Sequence, residues 1–165
     1  MNKILFLDFD GVLNSHPYFF ENEGAVTYYG MSIPLGALPF EREREAFDPK
    51  AVERLNRITG ASGAKIVCST AWRRAHDLVG LQELLALVGV EGEVIDTTPI
   101  MDNFPRSVEI LTWLEQNASP EQSWVILDDL EMHGLQDRHV HTSFDNGLQD
   151  EHVEEALKIL GVSSC

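Results

Sequence analysis

The sequence is poor in cysteine, in basic charge and in long apolar runs. Two cysteines occur in 165 residues, Cys68 inside an apolar run and Cys165 at the last position. Two such thiols make neither a disulfide framework nor a metal cluster. Cys68 therefore reads as a small core residue. Twelve Lys and Arg stand against 27 Asp and Glu, a formal net charge of −15. That balance disfavours general nucleic-acid binding, which rests on neutralising phosphates with basic side chains. It favours solubility, and it leaves room for a phosphorylated substrate, because a metal and a few arginines reverse the sign locally. No apolar run approaches the roughly 20 residues of a membrane span. The first residues show no signal-peptide cleavage pattern. The expectation is a cytoplasmic protein with no membrane partner and no stable nucleic-acid partner. Internal repeats and low-complexity segments are also missing.

What is present is an ordinary globular composition, 44% hydrophobic, in a chain long enough to bury a core. One domain spanning 1–165 is expected. Ile4 to Leu7 is an unbroken apolar run of strand length, suited to a strand buried on both faces of a parallel sheet. It runs into Asp8, Asp10 and Gly11. Two carboxylates at the end of a buried strand repel each other and are costly to desolvate. A hard cation relieves both problems. Gly11 permits a sharp turn just beyond them.

The segment from Ser15 to Phe47 is the least regular. Pro17, Gly24, Gly30, Pro34, Gly36 and Pro39 exclude a long helix there, and its aromatics argue against disorder. Two readings stand: a flap or small cap over the site, or a packed surface excursion. Val26 to Ser32 suits one arm of a hairpin. Asp48-Pro49 then marks a helix start, Val52, Leu55 and Ile58 its buried stripe, and Gly60 its end. Ala64 to Cys68 is a second buried strand, closing in Ser69-Thr70. Leu81, Leu84, Leu85 and Val88 repeat at helical spacing and stop at Gly89. Val94-Ile95 is a short third strand. Val108, Leu111 and Leu114 mark a helix beginning near Pro105-Arg106. Ser123 to Leu127 is a fourth strand, ending in Asp128-Asp129. Val140 belongs to a fifth. Val153, Ala156, Leu157 and Leu160 mark a last helix. Strands alternating with helices predict an α/β fold with a doubly wound, mainly parallel sheet.

Three buried strands thus end in polar chemistry: Asp8 and Asp10, Ser69 and Thr70, Asp128 and Asp129. Ligands of open α/β sheets bind outside the carboxyl ends of the strands. Bringing these ends together assembles carboxylates, a hydroxyl and the nearby cation Arg106. Such a set suits Mg²⁺ and a phosphoryl group.

Asp8-Phe9-Asp10-Gly11-Val12-Leu13 resembles the first motif of the haloacid-dehalogenase-like (HAD) hydrolases, a Rossmannoid superfamily. The likeness continues in order: a hydroxyl ending the second strand (Thr70, with Ser69 the competing register), a basic residue before the fourth strand (Arg106), and the acidic pair Asp128-Asp129. Ser69-Thr-Ala-Trp-Arg73, the stretch Arg106 to Leu114 and the stretch Gly147 to Val153 resemble the small HAD domains of Swiss-army-knife RNA repair proteins. The resemblance covers nearly the whole chain and explains the segment 15–47 least. It implies a phosphatase with Asp8 as nucleophile and Asp10 as general acid/base. Thr70 and Arg106 would act on the phosphoryl group. Mg²⁺ would be held by Asp8, Asp128 and the main-chain carbonyl of Asp10, with Asp129 binding it or holding its waters. Lys is common where Arg106 stands, and Arg is a more rigid, always charged alternative.

Further residues are weighed on their own. Arg73 is a candidate for substrate phosphate or for a structural ion pair. Asn14, His16 and Ser69 are candidates for substrate contact. Trp72 and Trp113 read as core residues. His133, His139 and His141 match no standard zinc spacing. Asp145, near Gly147, reads as a turn residue before a site residue. The substrate class is a phosphomonoester, either a nucleotide, a nucleic-acid end or another exposed phosphate. Two rivals remain: a phospho-acceptor signalling domain, which needs no acid/base two residues beyond the acceptor, and a catalytically idle binding module on the same fold.

Overall fold

A computed structural model describes residues 3–21 and 43–162 of the chain. Its centre is β1 (Ile4–Leu7), buried along its whole length. The other strands are β2 (Lys65–Cys68), β3 (Val94–Thr97), β4 (Trp124–Asp128) and β5 (His139–His141). They form one five-stranded sheet in the order β3-β2-β1-β4-β5, and every pairing is parallel. The central strand is apolar at every position because both of its faces are covered.

Alternation along β1 divides the core. Leu5 and Leu7 face one side with Ile66, Cys68, Val125 and Leu127. Ile4 and Phe6 face the other with Val67 and Ile126. The first side is covered by α2 (Pro49–Ser62), α3 (Leu78–Leu87) and α5 (Asp150–Ile159). They supply Leu55 and Ile58, Leu81 and Leu84, and Val153 and Ala156. The second side is covered by α4 (Arg106–Asn117) through Ile110 and Trp113. Phe6 meets Trp113 edge-on, with ring centroids 5.5 Å apart. Helices on both faces make the sheet doubly wound, as the alternation of elements predicts.

Three local expectations need correction. The α2 helix opens as predicted, with the Asp48 side chain accepting from the Lys50 amide and Pro49 in the first turn. It does not stop at Gly60. That glycine stays helical, and Gly63 takes the left-handed cap at φ 67°. A glycine ends a helix only where the chain turns left-handed, and Ala61-Ser62 still favour helix. The predicted stripe of α4 is also rotated. Leu111 is exposed, and the buried face carries Ser107, Glu109, Ile110 and Trp113. Glu109 and the Trp113 indole can lie there because each has a partner: Glu109 meets Arg73, and the indole donates to Asp96 at 2.7 Å. Finally, β3 runs two residues past Ile95, and Asp128 is the last residue of β4 rather than the first beyond it.

The chain leaves the sheet after β1 as a short helix, α1 (His16–Glu21), and returns through a 3-10 turn at Arg44–Ala46. The predicted hairpin arm Val26–Ser32, and with it most of the expected flap, lies outside the described residues. No helix among the described residues is long and apolar enough to cross a membrane.

Candidate active site

The carboxyl ends of β1, β2 and β4 lie side by side, because the register pairs Leu7 with both Cys68 and Leu127. Asp8 continues β1, and its amide donates to the Leu127 carbonyl at 3.0 Å. Asp128 ends β4 next door. Asp8 and Asp128 are both buried, and Asp129 is half-buried. One carboxylate oxygen from each of the three lies within 4.8 Å of the others.

Arg106, the first residue of α4, closes this cluster. Its Nη1 donates to Asp8 Oδ2 and to Asp128 Oδ2, both at 2.7 Å. Each acid is also fixed at its other oxygen. Asp8 Oδ1 accepts from the Phe9 amide at 2.8 Å, and Asp128 Oδ1 accepts from the Leu130 amide at 2.9 Å. Gly11 makes room for the third acid. Its φ is 76°, and a Cβ there would stand 2.5 Å from Asp129 Cγ.

One arginine does not offset the burial of three acids. Burial, then the charge of Asp128, pushes Asp8 up to about 7, against the pull of Arg106. Burial, then the charge of Asp8, pushes Asp129 up to about 6. Burial raises Asp128 as well, with Arg106 opposing. Arg106 is held firmly protonated by Asp8 and Asp128, although burial works the other way. Carboxylates that hold protons this strongly, aimed at one point, form an all-oxygen donor set deficient in positive charge. That set fits a hard divalent cation such as Mg²⁺. The Asp10 carbonyl accepts no turn or loop main-chain hydrogen bond among the described residues.

The Asp10 side chain stands apart from the three-acid cluster. Asn14 Nδ2 donates to Asp10 Oδ1 at 2.9 Å, and the Trp72 indole Nε1 donates to Asp10 Oδ2 at 3.1 Å. Asn14 is buried and also accepts from the Gly11 amide through Oδ1 at 2.9 Å. Asn14, a candidate for substrate contact, is thus a brace for the turn and for Asp10. His16 is exposed at the start of α1.

The two hydroxyls after β2 differ. Thr70 Oγ1 accepts from the Trp72 amide at 3.3 Å and caps the 3-10 turn Ala71–Arg74. Ser69 Oγ is buried with no hydrogen-bond partner among the described residues. Continuing the alternation of β2, in which Cys68 faces the α2 side, Ser69 falls on the Arg106 side of the sheet, as Asp8 does.

Arg73 is spent on structure. Its Nη2 pairs with Glu109 Oε2 at 2.8 Å, with both side chains less than a tenth exposed. Its Nε reaches the Thr70 carbonyl at 2.6 Å, and its Nη1 reaches the Thr98 carbonyl at 2.7 Å and the Pro99 carbonyl at 3.0 Å. Of its two readings, the ion pair is the one formed. Asp145 is exposed in a turn where the Gly147 amide donates to the Ser143 carbonyl at 2.7 Å.

The motifs do not reveal the roles of two contributors. One is Trp72, which is core and site at once. The other is the pair His139 and His141. Their rings stack, and their Nε2 atoms lie 2.9 Å from the Asp128 and Asp129 carbonyls. A carbonyl only accepts, so both nitrogens carry hydrogen. The histidines hold the main chain of the acidic pair and do not group with other metal-binding side chains among the described residues. Two histidines at period two on the strand beside β4 are the signal in the sequence, and zinc spacing does not reveal it.

A parallel sheet with an Asp-x-Asp turn after its central strand, an arginine that bridges the first of those acids to the acid ending the next strand, and a buried hydroxyl after the strand on the other side define a HAD-type hydrolase domain. The chain belongs to the family described as the HAD domain in Swiss Army Knife RNA repair proteins, which it matches over residues 4–153. No curated protein and no solved structure matches it.

Proposed function

We propose that the chain is a Mg²⁺-dependent phosphatase that hydrolyses a phosphomonoester through an aspartyl-phosphate on Asp8. The observation that carries this reading is the Asp8 carboxylate itself, fixed at the sheet's carboxyl edge by Arg106 and the Phe9 amide beside two further acids. An Asp8 oxygen attacks phosphorus in line, and the bond to the leaving oxygen breaks. Asp10 gives that oxygen its proton, then takes one from the water that attacks the aspartyl-phosphate. Phosphate leaves and Asp8 is restored. Asp8, Asp128, Asp129 and the Asp10 carbonyl would hold Mg²⁺, which would supply the charge that lowers repulsion between anionic nucleophile and anionic phosphate.

Arg106 uses one Nη for the two acids, which leaves the other for a phosphoryl oxygen. Of the two hydroxyls, Ser69 is assigned to the phosphoryl group, because it is buried with no partner among the described residues, whereas Thr70 is already held by the Trp72 amide it accepts from. The substrate is a phosphate on a nucleotide or on the end of a nucleic acid. The family's description supports an RNA end, and the net charge of −15 argues against a grip on a long polyanion.

The test is steady-state hydrolysis of an aryl phosphate with Mg²⁺, beside Asp8→Asn and a chelator. Many turnovers, lost in both controls, are expected. No turnover by the wild type across several phosphate esters sinks the reading. A stable phospho-Asp8 would then point to the phospho-acceptor class instead.

A further inference from the structure

Trp72 is wholly buried, yet its one polar atom is aimed at a carboxylate that the reaction uses. We infer that Trp72 is a positioning residue for Asp10, braced from behind by the partly buried His76 and the buried Glu43; the inference rests on the phosphatase reading above.

Asp10 receives one donor at each oxygen, Asn14 from its own turn and Trp72 from the turn after β2. Two donors from different elements fix both the position and the rotation of the carboxyl plane. Each oxygen keeps a lone pair for the proton in transit. Proton transfer demands that accuracy, because an acid must sit within hydrogen-bond reach of the leaving oxygen. Asn14 alone fixes one oxygen and leaves the plane free to swing.

Trp72 itself has little freedom. One edge of its ring system packs against Phe9 and Phe47, with centroids 5.8 and 5.5 Å away. The His76 imidazole lies nearly parallel to the indole, at 16° and 6.3 Å. The Glu43 carboxylate, almost fully buried, stands behind it with Oε2 2.9 Å from His76 Nε2. A carboxylate is rarely buried unless something holds it there. Glu43 belongs to the returning end of the segment between β1 and α2. The series Glu43, His76, Trp72, Asp10 therefore ties that segment's root to the acid/base.

The test exploits what a general acid does. A poor leaving group needs its proton, whereas nitrophenolate leaves without one. The parameter is kcat/KM, which reports transfer to Asp8 and not the later hydrolysis. Trp72→Phe keeps the ring and removes the N–H. It is expected to lower kcat/KM for an alkyl phosphate at least tenfold more than for nitrophenyl phosphate. Glu43→Gln should show the same bias, to a smaller degree. Equal losses on both esters, or none, overturn the inference by reducing Trp72 to packing. A second measurement needs no turnover: the indole N–H proton resonance of Trp72 should move on Asp10→Asn, and an unmoved resonance denies the bond. A wild type inactive on both esters fails the phosphatase reading first and takes the inference with it, a result distinct from a loss confined to Trp72→Phe.

Discussion

Gly11 shows how single residues set the site. Its left-handed φ of 76° and the closeness of Asp129 leave no place for a side chain. Gly11→Ala incurs about 1–2 kcal/mol for the left-handed backbone alone, and it must also displace Asp129. The melting temperature should fall by roughly 2–8 °C on that basis. Calorimetric affinity for Mg²⁺ should fall with it; unchanged affinity would separate Asp129 from the ion. The two hydroxyls allow an equally sharp comparison. Ser69→Ala should cost about 10²-fold in kcat/KM, the scale of losing one oriented donor. Thr70→Ala should instead cost about 1 kcal/mol of stability as a lost cap, with smaller kinetic effect. The opposite ranking would return the phosphoryl group to Thr70. The acids were legible as a set because the buried apolar runs of β1 and β4 both end in them. The role of Trp72 was not, since an indole in a motif reads as core unless its partner is known. Asp10 lies 62 positions away.

Among the elements, α4 depends on a contact that its own sequence conceals. Apolar spacing selects Val108, Leu111 and Leu114, but Leu111 is exposed and Glu109 is buried. The helix turns that way because Glu109 takes Arg73 on one oxygen and the Met101 amide on the other, at 2.8 Å each. The partner sits 36 residues off in sequence, so no local pattern reveals it. This pair holds α4 one turn from Arg106, and it fixes the turn that presents Ser69. Removing one partner strands a buried charge, so Arg73→Met or Glu109→Leu alone should cost roughly 3–5 kcal/mol in urea unfolding. The double replacement should cost less than the sum of the two single changes, because it strands no buried charge, although the Thr70, Thr98 and Pro99 carbonyls and the Met101 amide lose their partners. A double variant as unstable as the sum of the singles would mean that the pair is not coupled. The strands were more legible than the helices. Continuous burial leaves no face to choose in β1, β2 and β4, whereas a helix must still be rotated onto its neighbours.

At the scale of the whole molecule, the acidic cluster makes stability depend on pH and metal together. Asp8 and Asp129 are raised to about 7 and about 6 from the ordinary 3.8. Between those limits the folded chain holds protons that the unfolded chain has released. Their contribution is complete below about pH 4 and is lost as pH rises through 6 to 7. The metal-free protein should therefore become less stable across that range. Mg²⁺ binds the deprotonated acids, so its affinity rises as the protons leave. Stabilisation follows RT ln(1 + [L]/Kd), and the shift in melting temperature with Mg²⁺ should be larger at pH 8 than at pH 5. A net charge of −15 adds self-repulsion that any salt screens, so Na⁺ at matched ionic strength is the control. Asp8→Asn should flatten the pH dependence and shrink the Mg²⁺ shift, because one of the acids in competition is gone. Equal shifts from Mg²⁺ at both pH values, undiminished in Asp8→Asn, would place the ion elsewhere and leave the buried acids unexplained.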